Sequence, residues 1–117
     1  MNNTNVIAEK SKEFAIRVVK FAKFLRHNGV DVIIVRQLLK SGTSIGANTR
    51  ESVNAQSKDD FIHKLSVALK EADETAYWLE ILLGAEEISQ KQFDSLYADL
   101  KEVIALLTAI IKTSKGI

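Results

Sequence analysis

The chain has 117 residues, 46% of them hydrophobic and 26% charged, and it contains neither cysteine nor proline. This composition is typical of a globular chain, and it excludes disulfides and thiolate metal sites. The lack of proline, which interrupts helices, favours long helices joined by few loops. The length predicts a single domain over residues 1–117.

No segment has the pattern of a targeting signal or of a membrane span. Residues 1–9 are polar, whereas a secretory signal begins with a basic segment that leads into an apolar one. The longest apolar stretch, residues 103–111 with Thr108 included, is far shorter than the roughly 20 residues that a bilayer requires. We therefore expect a cytoplasmic protein.

The net charge of +1 conceals an uneven distribution along the chain. Residues 1–50 contain nine Lys or Arg and three Asp or Glu, whereas residues 51–117 contain seven and twelve. One interpretation is that oppositely charged helices lie side by side in a bundle. The other is that the first half presents a basic surface to a polyanion.

The first predicted helix covers residues 6–27. Its apolar residues recur at helical spacing and define one buried face: Ile7, Phe14, Val18, Phe21 and Leu25. Asn28 and Gly29 follow, and Gly29 suits the left-handed position at which many helices end. Asp31 is a candidate N-cap for the next helix.

The second predicted helix starts at Val32 and enters a stretch of small and polar residues at 41–48. This stretch has low helix propensity but no proline. One prediction is a continuous or kinked helix, with any kink near residues 41–46, that reaches about Ala55. The alternative is a break at Gly42, with Thr43 or Ser44 capping a new helix.

The third and fourth helices have clear predicted starts. Ser57 is a candidate N-cap for a helix that reaches about Leu83 and ends at Gly84. Residues 89–92 fit a capping box for the fourth helix, and residues 114–116 are expected to fray. The predicted core positions are Phe61, Leu65, Ala68, Ala72, Ala76, Leu79 and Leu83, then Phe93, Leu96, Leu100, Ile104, Leu107 and Ile111. Short loops between consecutive helices predict an all-α, antiparallel up-down-up-down four-helix bundle.

A second apolar surface is predicted on the back of the third helix. Val67, Trp78 and Ile81 fall roughly opposite its core stripe, and Tyr77 flanks them. Aligned large apolar residues of this kind favour a self-association interface, although single exposed apolar residues are normal. The first helix shows a weaker version, with Ile16 and Phe24 inside its charged face.

The sequence offers no clear constellation for catalysis or for a metal ion. His63 and Glu74 lie three turns apart, and the Glu-x-x-His pattern of carboxylate-bridged metal bundles is absent. No nucleophile motif or phosphate-binding loop is present. We therefore expect a protein that is not an enzyme and that has no metal and no cofactor.

Basic residues cluster on the first two helices. Such a face can contact phosphates without reading base sequence, or it can be an ordinary solvated face. The candidate nucleic-acid-binding residues are Lys10, Arg17, Lys20, Lys23, Arg36, Lys40 and Arg50.

Two stretches of the chain resemble a known family. Residues 36–48, with the run Ser-Gly-Thr-Ser-Ile-Gly-Ala-Asn at 41–48, followed by Arg-Glu-Ser at 50–52, resemble the signature of bacterial four-helix-bundle proteins encoded in 23S rRNA intervening sequences. Residues 60–79 resemble the third helix of that family. In this interpretation the signature residues have a structural role: Ser41, Gly42, Ser44, Gly46, Asn48 and Glu51.

The resemblance implies a ring-like homopentamer. The family is similar in fold to the accessory variability protein of diversity-generating retroelements, a basic pentamer that associates with nucleic acid and a reverse transcriptase. The leading hypothesis is therefore a homo-oligomer that binds RNA or DNA without sequence specificity. The alternative is a protein-interaction or accessory module, with a partner protein and no nucleic-acid role; neither hypothesis involves a membrane.

Overall fold

The structure, a computed structural model, describes residues 3–116 as four helices. These are α1 (Asn3–His27), α2 (Val32–Val53), α3 (Lys58–Gly84) and α4 (Gln90–Lys115). Contacts join α1 to α2, α2 to α3, α3 to α4 and α4 back to α1. The predicted all-α four-helix bundle is thus confirmed, and α1 and α3 occupy diagonally opposite corners. The bundle measures about 44 × 21 × 21 Å.

The predicted helix caps are present. The carboxylate of Asp31 and the hydroxyl of Ser57 each accept a hydrogen bond from a backbone N–H in the following turn, at 2.8 and 3.1 Å. Ser89 and Gln92 form a reciprocal capping box, with distances of 3.1 and 2.8 Å. Gly29 has a φ of +78°, which is the left-handed conformation expected of it. The turns between the helices therefore lie at the positions predicted from the sequence.

The second helix is uninterrupted, so the alternative of a break at Gly42 is wrong. The hydroxyls that could have capped a new helix instead bond to carbonyls one turn back. Thr43 donates to the carbonyl of Leu39 at 2.8 Å, and Ser44 donates to that of Lys40 at 2.7 Å. This back-bonding satisfies the polar side chains within the helix.

Two predicted ends differ from the structure. α2 ends at Val53, two residues before the predicted end. Residues 114 and 115, predicted to belong to a frayed end, are helical, and Gly116 caps α4 with a φ of +77°. The N–H of Gly116 donates to carbonyls of the last turn, which satisfies groups that would otherwise lack partners.

The core occupies the shared axis of the four helices. Most predicted core positions are buried, including Phe14, Leu65 and Leu100. On α3 the buried face is rotated slightly from the predicted stripe, so that Leu82 is buried while Leu83 is only half-buried. Across residues 3–116, none of the helices combines the length and the apolar character needed to cross a bilayer.

Candidate nucleic-acid and self-association surfaces

The small residues of α2 bring it unusually close to α1. A Cβ atom placed on Gly42 would lie only 2.8 Å from Cγ1 of Val18. A Cβ atom placed on Gly46 would lie 3.3 Å from the carbonyl oxygen of Ser11. Both glycines are therefore positions where the absence of a side chain allows close backbone approach.

The polar residues of the same stretch hold α2 against α3. Ser41 is buried, and the hydroxyl of Thr75 donates to its Oγ at 2.9 Å. Nearer the end of α2, the carboxylate of Glu51 accepts a bond from Lys64 Nζ at 2.9 Å, which raises the pKa of Lys64. The amide of Asn48 donates within α2, to the carbonyl of Ser44. Ser41 and Glu51 thus each bond to α3, and Asn48 bonds within α2.

Two of the predicted phosphate-binding cations are already neutralised. Lys10 forms an ion pair with Glu102, which raises the pKa of Lys10. Arg17 pairs with Asp99 at 2.6 Å, and its guanidinium also donates to the backbone carbonyl and the hydroxyl of Ser95. Both cations therefore join α1 to α4 through these ion pairs.

The other five predicted cations are exposed: Lys20, Lys23, Arg36, Lys40 and Arg50. The three ion pairs found in residues 3–116 involve none of them. Arg50 and the unpredicted Lys12 line a shallow groove of about 470 Å³ between α1 and α2. Sequence reasoning missed Lys12 because nothing in its spacing shows that it faces Arg50 across the groove.

The predicted back face of α3 is only partly exposed. Tyr77 and Ile81 are 53% and 36% exposed, whereas Val67 and Trp78 are half-buried. Trp78 packs against the core, and its indole N–H points towards Glu74 at 3.4 Å. Val67 and Trp78 are thus less exposed than the helical projection suggests.

Other exposed apolar residues lie on α1 and at the start of α2. Ile16 and Phe24 are exposed as the sequence suggested, at 47% and 45%. Val19 and Ile33 are exposed as well and were not predicted. The helical spacing of Val19 places it opposite Phe14, so its exposure could have been predicted, whereas Ile33 lies in an apolar run over residues 32–35.

The residues that could carry out chemistry are scattered. His63 is exposed on α3, and His27 is exposed at the end of α1. Within residues 3–116, no three His, Asp or Glu side chains come together in a group that could hold a metal ion. The candidate binding features of the molecule are therefore its exposed basic and apolar surfaces.

The Arg17 contacts predict a measurable contribution to stability. Replacing Arg17 with methionine should lower the free energy of unfolding by about 1–2 kcal/mol, because a planar guanidinium bonded to two residues of α4 is lost. Lys10→Met, which removes a single exposed ion pair, should cost less than Arg17→Met does. Urea denaturation at one fixed protein concentration measures both. Equal losses of stability for the two variants would contradict the larger contribution assigned to the Arg17 contacts with α4.

These features define a four-helix-bundle protein with a cationic surface on its first two helices and an acidic third helix. The chain belongs to the 23S rRNA-intervening sequence protein family, whose model matches residues 3–109.

Its fold is also that of a solved structure from Bacteroides thetaiotaomicron VPI-5482, a protein of unknown function from the S23 ribosomal protein family. The two are 50% identical with a TM-score of 0.91, over 95% of this chain and 99% of that one. None of the curated proteins matches the chain.

Proposed function

We propose that this protein is a cytoplasmic, non-enzymatic homo-oligomer, a ring-like pentamer, that binds RNA or DNA without reading base sequence. The pentamer follows from the family resemblance described above. The accessory role beside a reverse transcriptase, which that resemblance also suggests, is one setting in which such binding would serve.

The observation that carries the proposal is the set of five exposed cations without ion-pair partners on α1 and α2. Arg36 and Lys40 lie one turn apart on the outer side of α2, and Arg50 lies further along the same helix. Cations arranged in this way can neutralise phosphates along a backbone, and such contacts carry no sequence information. Repetition of the surface in an oligomer multiplies the number of phosphates neutralised.

Low net charge does not oppose this role. The excess of acidic residues is concentrated on α3, which carries three Lys and six Asp or Glu. α3 contacts α2 and α4 but not α1, so its outer side faces away from the cations of α1. A polyanion on α1 is thus separated from the acidic side chains of α3 by the width of the bundle, whereas α2, which carries Arg36, Lys40 and Arg50, adjoins α3.

The test is salt-dependent filter binding with RNA, DNA and an RNA–DNA hybrid. Binding that neutralises about six phosphates should weaken on the order of a thousandfold between 50 and 200 mM salt. The double reversal Arg36→Glu with Lys40→Glu should weaken binding to all sequences alike and make the salt dependence shallower.

The matched control is Lys101→Glu with Lys112→Glu, which makes the same change in net charge on α4. This control should bind nearly as the unmodified chain does, because its residues lie outside the basic surface. If the unmodified chain retains none of the three nucleic acids at low salt, the proposal is wrong. The protein-interaction alternative then takes its place.

A further inference from the structure

The outer face of α1 combines exposed apolar and positively charged side chains. We define it by Lys12, Ile16, Val19, Lys20 and Lys23, all of which are exposed. Ile16 and Val19 are large apolar residues at 47% and 40% exposure, and they lie among three lysines. Glu9 and Glu13 also point outward on this helix but precede most of the patch. The face is therefore an apolar strip with a mainly positive rim.

The outer face of α3 has the same design with the opposite charge. We define it by Asp73, Glu74, Tyr77, Glu80 and Ile81, all of which are exposed. Tyr77 and Ile81 supply the apolar strip, and three carboxylates surround it. Lys70 lies one turn before this group and is the cation nearest to it along the helix. The face is therefore an apolar strip with a mainly negative rim.

The two faces lie at the same height along the bundle. Gly42 approaches Val18 of α1, and the neighbouring Ser41 is bonded to Thr75 of α3 at 2.9 Å. Val18 and Thr75 are therefore level with each other. α1 and α3 run in the same direction in the up-down-up-down bundle.

Equal sequence steps from these two reference residues give equal heights. Lys23 lies five residues after Val18, and Glu80 lies five residues after Thr75. Each is about 7.5 Å further along the axis at 1.5 Å per residue. Lys20 lies two residues after Val18 and Glu74 one residue before Thr75, so these two differ in height by about 4.5 Å, which a lysine side chain can span.

We propose that the outer face of α1 docks on the outer face of α3 of a second copy of this chain. This inference rests on the proposed self-association and names its contact. Lys20 and Lys23 meet Glu74 and Glu80 of the neighbouring copy, while the two apolar strips pack together. Opposite charges around an apolar centre set the register of such a contact and reject a wrong one.

The contact is head-to-tail, because each copy uses two different faces. Head-to-tail contacts generate rings when they close and helical filaments when they do not. Two faces at one height add no rise between successive copies with parallel axes, and a closed ring requires in addition a rotation from each copy to the next. Because α1 and α3 lie at diagonally opposite corners, that rotation requires each contact to use the flanks of the two faces that lie on the same side of the bundle.

The exposed cations then have two separate roles. Lys20 and Lys23 are used between copies, whereas Arg36 and Lys40 lie on α2 outside both docking faces. The polyanion-binding surface of the assembly is then carried by α2. Variants of the two groups should therefore differ in which measurement they change.

The experiment compares solution masses by light scattering. The unmodified chain should have a mass that is a multiple of 13.0 kDa. Lys20→Glu with Lys23→Glu should shift the mass to that of one chain, and Glu74→Lys with Glu80→Lys should do the same. All four substitutions in one chain should restore the original mass, because the charges are then exchanged across the same contact. Circular dichroism checks that each variant is folded.

Arg36→Glu with Lys40→Glu is the matched control, and it should keep the mass of the unmodified chain while losing nucleic-acid affinity. If the unmodified chain assembles but the reversed variants keep its mass, the assigned contact is wrong and self-association stands. Failure of the fourfold variant to reassemble would equally overturn the pairing of α1 with α3. A monomeric unmodified chain would overturn both the contact and the proposed assembly, whatever the filter-binding result.

Discussion

Replacing Gly42 with valine should lower the free energy of unfolding by about 3 kcal/mol, the upper part of the range for overpacked cores. A Cβ at this position would lie 2.8 Å from Cγ1 and 2.9 Å from Cγ2 of Val18. These atoms belong to a branched, buried side chain that cannot rotate away, so α1 and α2 must separate. The gain in intrinsic helix propensity over glycine, less than about 1 kcal/mol, does not offset that strain.

The same substitution at Gly84 is the control for this effect. A Cβ on Gly84 meets nothing within 4 Å, and Gly84 is the last residue of α3. Gly84→Val should therefore change stability by no more than about 0.5 kcal/mol. Adding Val18→Ala to Gly42→Val should recover part of the loss, because it removes the two methyl groups that clash. Urea denaturation would contradict the close approach if Gly42→Val cost no more than Gly84→Val.

Much of the fold could be predicted because local rules and the global structure agree. The spacing of Phe14, Val18 and Leu25 defines the face of α1 that is buried. Capping side chains at Ser57 and Ser89 mark helix starts through bonds that span only three residues. Such features depend on neighbours along the chain, and a sequence displays those neighbours directly.

The surfaces were harder to predict because they depend on contacts between helices. Spacing places Arg17 on the flank of α1, but only the packing of α4 brings Asp99 within 2.6 Å of it. In the same way, Trp78 looked exposed on a helical projection. It is half-buried because it packs against the hydrophobic core. A single-helix projection therefore identifies a face without identifying what covers it.

The sequence of residues 41–48 is compatible with a continuous, a kinked or a broken α2. Propensity argues for a break there, since glycine and hydroxyl residues are weak helix formers. The structure keeps the helix because Gly42 and Gly46 permit contact with α1, and Ser41 bonds to Thr75 of α3. Contacts with α1 and α3 thus compensate for the weak helix propensity of this stretch. A sequence does not display those contacts, because the partner residues lie on other helices.

Phe14→Ala should lower the free energy of unfolding by about 3–5 kcal/mol, the usual cost of removing a buried aromatic ring. Phe14 is 2% exposed and belongs to the central hydrophobic cluster. A domain of this kind is stable by about 5–15 kcal/mol in total. The variant should therefore unfold at much lower urea concentration.

Phe24→Ala on the same helix is the control, because it removes the same type of side chain from an exposed position. Phe24 is 45% exposed, and its ring stacks on that of Phe21 with centroids 5.9 Å apart. Its truncation removes one exposed aromatic pair, which is worth about 0.5–1.5 kcal/mol at most. Because binding between copies would make stability depend on concentration, both variants need comparison at one protein concentration. Equal losses for Phe14→Ala and Phe24→Ala would mean that the ring of Phe24 is as fully covered in solution as that of Phe14, by a neighbouring copy and not by its own bundle.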